Sequence, residues 1–271
     1  MTPATLFMLL AAALSLAMAG VSLAVFKGAT SGWIDAIWSL LVGAAGIFAS
    51  LIPVDGWEAD WRRQLLVGAI AGLWSCRLGI HILRRTVQGA EDPRYAKLRE
   101  EWGESWRSRL FLFLQIQAAA ALLLAAAIFL AARNPTIGVR WSDVVGVAIL
   151  VIAVIGEGAA DAQLARFRSQ FANRKKVCDE GLWSLSRHPN YFFQWLGWTG
   201  YAIIAIGPAG AWSWGWLALA GPVFMYWLLV HVSGIPPLEA HMMRSRGTAF
   251  ASYANRVNAF WPGPQNREKP T

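Results

Sequence analysis

Charge is scarce in this chain. Only 15% of its 271 residues are Asp, Glu, Lys or Arg, where a soluble domain carries about a quarter. Cysteine is scarcer still: Cys76 and Cys178 form no CxxC pair and have no paired histidines, which excludes a thiolate metal site. Both glycine-rich phosphate loops, GxGxxG and GxxxxGK(S/T), are missing, so any nucleotide has to be held by side chains of another framework. Linkers, internal repeats and low-complexity tracts are also absent, and one domain over 1–271 is the expectation.

What replaces charge is apolar length. Hydrophobic residues make up 56% of the chain and the mean hydropathy is +0.41. Seven long runs stand out, at 4–26, 32–52, 64–85, 110–132, 143–163, 190–207 and 210–232. A run of about 18 or more apolar residues reads as a membrane span. Gly207, Pro208 and Gly210 part the last two. One kinked span would leave roughly 40 residues there, about twice what a bilayer needs, so two are expected. The first run ends in a small-residue Ala17-Met18-Ala19 triplet, yet no basic residue precedes Lys27. A signal peptide needs a basic start, so this run is read as a span. The fold class is therefore an all-α polytopic bundle of about seven transmembrane helices.

Basic residues decide its orientation. Arg62, Arg63, Arg133 and Arg140 lie on the side of the N-terminus, four in all, and nineteen Lys and Arg lie on the other side, with Arg77 inside a span. The positive-inside rule puts the N-terminus outside and the C-terminus in the cytoplasm. A net charge of +8 follows from this topology. The basic residues sit in short loops between spans, which gives no support for nucleic-acid binding.

Asp35, Arg77, His81 and Glu157 fall within the runs. An ionisable group at mid-bilayer costs at least about 2.5 kcal/mol, so it needs a partner or a task. Topology places all four in the cytoplasmic half, as one inward-opening pocket would. Arg77, His81 and Arg84 share a helical face, as do Glu157, Asp161, Leu164 and Arg168. A structural ion-pair network between those two helices explains the same pattern. The segment Glu91-Asp92-Pro93-Arg94-Tyr95 is a polar knot, or a helix start with Asp92 as cap and Pro93 in the first turn. The densest stretch, Gly181 to Phe192, contains Arg187-His188-Pro189-Asn190-Tyr191. With Arg168, Lys175 and Lys176 it suits a polyphosphate ligand at the inner surface.

These motifs, in this order and with Asp35, Trp38 and Ser233-Gly234-Ile235-Pro236, resemble the bacterial branch of the steroid 5α-reductase-like superfamily over roughly 33–262. The resemblance implies a membrane reductase, in the bacterial inner (plasma) membrane, that uses NADPH to reduce an activated carbon–carbon double bond in a lipid or steroid-like molecule. It implies a cofactor half at about 143–262. Asp161, Arg168, Asn190 and Tyr191 match cofactor-contacting positions, joined by Arg187, His188 and Lys176. Arg84, Glu91, Asp92, Arg94 and Tyr95 come from the loop after the third span, and Glu239 and Arg244 from the tail. Phe193-Gln194 stand where the steroid reductases carry Gly-Glu. Asp35 and His81 are the candidates for proton donor or carbonyl-polarising group, with Glu157 in reserve. Isoprenylcysteine methyltransferases carry a similar Arg-His-Pro segment, which makes an S-adenosylmethionine-dependent lipid methyltransferase the alternative. Inverted repeats that would favour a transporter are absent.

Overall fold

The computed structural model describes residues 1–87, 92–173 and 176–265, apart from the side chains of Arg85 and Pro93. Among these residues every regular element is helical. Helix α1 (Pro3–Phe26) starts at Thr2, whose hydroxyl oxygen accepts from the Thr5 amide at 3.2 Å. Its 24 residues span about 36 Å, enough to cross a bilayer. It stops at Lys27, after which Gly28 turns the chain with φ of +103°. Helix α2 (Gly32–Leu51) ends because Pro53 forces Ile52 into extended backbone. Then follow α3 (Trp61–Val87), α4 (Pro93–Trp102), α5 (Trp106–Ala132), α6 (Trp141–Ser169) and α7 (Pro189–Ile206). Gly207 and Gly210, both at positive φ, break the chain where the sequence breaks its apolar run. A 3-10 stretch, helix α8 (Ala220–Trp227) and a π turn over Leu228–Val232 continue the last run, followed by α9 (Ile235–Arg246) and α10 (Thr248–Arg256).

Six segments are long and apolar enough to cross a membrane: Pro3–Phe26, Gly32–Leu51, Trp61–Arg84, Arg94–Ala132, Trp141–Ser169 and Ser213–Arg246. The seventh expected span, α7, is not among them. It is a continuous helix of 18 residues, but Asn190, Gln194 and Thr199 dilute its apolar character.

Contacts divide the chain into two compact units, one of 1–144 with 201–221 and one of 145–200 with 222–271. In the first, Leu6, Leu10, Leu14 and Met18 form the buried stripe of α1, while Leu9, Leu16 and Leu23 face outward. Such a stripe cannot be driven by expulsion of water within lipid; close packing and internal hydrogen bonds hold it. Phe7 meets the edge of Phe129 with ring centroids 5.4 Å apart, and the Ser15 hydroxyl donates to Gln115 at 2.7 Å. Between α2 and α3 a side chain at Gly43 would overlap Ser75, whose hydroxyl reaches the Ser39 carbonyl at 2.8 Å. Small residues bring these backbones together.

The end of this unit that carries Arg63, Arg133 and Arg140 holds a buried polar cluster. Asp143 accepts from Arg63 Nε at 3.2 Å and from Arg140 Nε at 3.1 Å. Arg63 also reaches the carbonyls of Asn134 and Gly138, each at 2.8 Å, and Arg140 that of Ile204 at 2.9 Å. Arg133 donates to the Trp57 carbonyl at 3.3 Å and to that of Ile52. Three of the four basic residues on this side are thus buried fasteners for helix-end carbonyls, and Arg62 is the exposed one.

In the second unit α6 and α7 cross tightly. A side chain at Gly200 would lie 2.8 Å from the Gly146 carbonyl, and the Phe193 ring covers Gly156. Phe167, Cys178 and Trp183 form a small buried cluster below them, with Trp183 Nε1 donating to the Ala160 carbonyl at 3.0 Å.

Candidate functional site

The second unit assembles its polar groups around the start of α7. Pro189 sets the first turn, where a missing amide proton costs nothing. Asn190 Oδ1 accepts from the Tyr191 amide at 3.0 Å, and its Nδ2 donates to Asp161 on α6 at 3.2 Å. The Tyr191 ring stacks on His188 with centroids 5.5 Å apart and planes 9° from parallel. His188 is buried and its Nε2 lies 2.9 Å from Glu239 Oε1 on α9. Glu239 also takes Arg187 Nε at 2.7 Å and Nη2 at 3.1 Å. Arg187 Nη1 bonds the carbonyls of Ala254 and Val257, at 2.8 and 2.7 Å. Four of the five guanidinium N–H groups are therefore committed. The sequence presents Arg187 as an anion donor; the structure uses it mainly to fasten the tail to the start of α7.

Backbone contacts complete that closure. The Arg187 amide donates to the Asn258 carbonyl at 2.8 Å, and the Ser186 hydroxyl to that of Phe260 at 2.9 Å. The Tyr253 hydroxyl donates to the Trp183 carbonyl at 2.7 Å. Burial holds the His188 imidazole below its ordinary range, although Glu239 pulls the other way. A neutral ring beside a carboxylate carries its proton on Nε2. Nδ1 is then an acceptor, buried and without a hydrogen-bond partner among the described residues. Next to this cluster runs an apolar groove of about 520 Å³, lined by residues including Leu182, Pro189, Phe192, Trp195 and Trp261. Of the remaining sequence candidates in this unit, Arg168, Lys176 and Arg244 are exposed, and Glu157 is buried on α6.

The first unit gathers a different set. Asp92 caps α4, its Oδ1 accepting from the Arg94 amide and from Arg94 Nε, each at 3.0 Å. Arg94 then bridges Asp92 to Asp35 on α2, and the Tyr95 hydroxyl donates to Asp35 Oδ1 at 2.8 Å. Gln117 Nε2 donates to the same hydroxyl at 3.3 Å, while Trp38 Nε1 reaches the Gln117 carbonyl at 2.8 Å. Both readings of the Asp92 segment hold: it is a helix start and it is a polar knot. Both Asp35 oxygens are engaged, one by Arg94 and the other by the Tyr95 hydroxyl. His81 and Arg84 are exposed on α3, and Glu91 lies outside the described residues. Sequence reasoning passed over Gln117 and gave Ser186, inside the dense stretch Gly181 to Phe192, no role of its own. A glutamine within the 110–132 apolar run was the signal for the first. The stretch around Ser186 was marked, but its partner lies 74 residues away and could not be read locally.

Long apolar helices, close small-residue crossings and buried arginines bonded to helix-end carbonyls define a polytopic membrane protein of the helical-bundle class. Within that class the chain belongs to the DUF1295 family, described as proteins of unknown function, whose profile matches residues 23–257. It is also similar to an uncharacterized protein of Schizosaccharomyces pombe, at 26% identity over 84% of this chain and 72% of that protein.

Proposed function

We propose that this protein is an NADPH-dependent reductase of an activated carbon–carbon double bond in a lipid or steroid-like substrate, working at the cytoplasmic face of a bacterial inner membrane. The observation that carries the reading is the Asp161–Asn190 hydrogen bond. It joins two residues, 29 apart in sequence, that the superfamily resemblance assigns to the cofactor. A methyltransferase reading has no use for Asp161. The donor set fits a dinucleotide phosphate. Arg168 and Lys176 are exposed cations that would meet its phosphates, and the unpartnered His188 Nδ1 would accept from a ligand hydroxyl or amide. Asn190, oriented by Asp161, and Tyr191, stacked on His188, would position the ring end.

NADPH, when bound, supplies a hydride to an electrophilic alkene carbon. The chain's own residues then have three tasks: orienting that ring, excluding water and providing a proton for the other alkene carbon. The closure of the tail over Trp183 to His188 serves the second task.

Ligand-induced thermal shift on detergent-purified protein, with mass spectrometry of retained nucleotide, tests the reading. A ligand at a hundredfold its dissociation constant stabilises by about 2.7 kcal/mol. Millimolar NADPH should raise the unfolding midpoint, and Asn190→Ala and Arg168→Ala should abolish the rise. A rise with S-adenosylmethionine and none with NADPH would sink the proposal in favour of the methyltransferase.

A further inference from the structure

At one face of the first unit the end of α1 and the beginning of α5 meet in an aromatic pair. Phe26 contacts the edge of Trp106 with centroids 5.4 Å apart and planes at 87°. Two arginines lie over these rings: Arg99 Cζ is 4.5 Å from the Trp106 centroid, and Arg107 Cζ is 5.7 Å from Trp106 and 6.0 Å from Phe26. Lys27 extends the group at the end of α1. All three basic side chains are exposed, and among the described residues none of them forms an ion pair. Glu100, Glu101 and Glu104 are the carboxylates nearest in sequence; Glu101 is held by Lys97 at 3.2 Å.

We propose that Lys27, Arg99 and Arg107 form a site for the phosphate of an anionic phospholipid headgroup. Stacking on an aromatic face fixes a guanidinium in orientation and leaves its in-plane N–H fork open, the geometry that phosphate oxygens accept. Depth agrees. The apolar run of α1 ends at Phe26, and that of α5 begins at Leu110, so the rings mark the hydrocarbon boundary and the cations stand at headgroup level. Directly beneath, on the same helical faces, Leu23 lies three residues before Phe26 and Phe111 four after Arg107. They are 58% and 45% exposed, an apolar surface for the acyl chains of the same molecule. Three unpaired cations favour a net-negative headgroup over a zwitterionic one, whose own ammonium would lie among them.

Native mass spectrometry of the detergent-purified full chain, equilibrated with phosphatidylglycerol or phosphatidylcholine, reads the site. Phosphatidylglycerol should be retained preferentially by one molecule per chain. Each basic residue near an anionic surface is worth about 1 kcal/mol, so each removed charge should weaken retention about fivefold. Lys27→Gln, at an exposed position outside the helices, provides a step that leaves packing intact. Arg99→Gln with Arg107→Gln should remove the preference, and Lys97→Gln should leave it. Equal retention of phosphatidylcholine, an undiminished preference in Lys27→Gln and the double variant, or full displacement by inorganic phosphate at equal concentration would overturn the proposal.

Discussion

The two compact units handle buried charge in contrasting ways. In the first, Arg63 and Arg140 share the single carboxylate of Asp143, and Arg133 works through helix-end carbonyls. Other donors go to backbone carbonyls, at 2.8 to 2.9 Å for Asn134, Gly138 and Ile204, while Arg133 Nε and Arg140 Nη1 are buried donors without a partner among the described residues. In the second, one carboxylate, Glu239, serves one arginine and one histidine, and the histidine keeps an unbonded nitrogen. A cluster whose carboxylate and helix-end carbonyls are taken up by guanidinium donors, with only donors left over, fastens helices. A cluster with a spare buried acceptor, beside exposed cations and an apolar groove, is equipped for a ligand. The arginines of the two clusters look alike in sequence; their bonding separates them.

The sharpest way to break this contrast is at Asp143. Replacing it with alanine leaves two buried guanidinium groups without their carboxylate, and breaking a buried pair costs about 3–5 kcal/mol. Asp143→Ala should therefore lower the unfolding midpoint more than any other single change described here. A loss below about 1 kcal/mol would mean that the first cluster is not a fastener.

Glu239→Gln should cost less, because its carboxylate is 22% exposed against 8% for that of Asp143. About 2 kcal/mol is expected, with Arg187 held by its two backbone carbonyls. If Glu239→Gln destabilised as strongly as Asp143→Ala, the second cluster would be a fastener too.

The smallest effect is a pH dependence. Burial depresses the His188 pKa in the folded chain, so the unfolded chain binds the proton more readily. The stabilising contribution is present above the ordinary imidazole pKa, about 6.5, and is lost as pH falls below it. Midpoints measured between pH 7.5 and 5 should decline in the wild type and decline less in His188→Gln. Identical profiles would show that this imidazole is not held neutral.

Much of the fold is legible in the sequence because a bilayer imposes lengths. The seven apolar runs anticipate the helices within a few residues, and Gly207 and Gly210 mark the break after α7. Asp92 and Pro93 announce the start of α4 for the same local reason. What resists reading is the partner of each charge. Arg63 meets Asp143 across 80 residues and Arg187 meets Glu239 across 52, and nothing at either position distinguishes a spent arginine from an available one. The Asp35, Arg94 and Tyr95 group was legible as three separate polar positions; only the folding of α4 against α2 joins them.

The small cluster of Phe167, Cys178 and Trp183 gives the second unit a built-in clock. Burial raises the Cys178 thiol's pKa and hides it from reagents, so alkylation requires the loop between α6 and α7 to open. Its labelling rate under native conditions then counts those openings directly. A bound ligand that clamps the start of α7 slows the count, and one that binds elsewhere leaves it running.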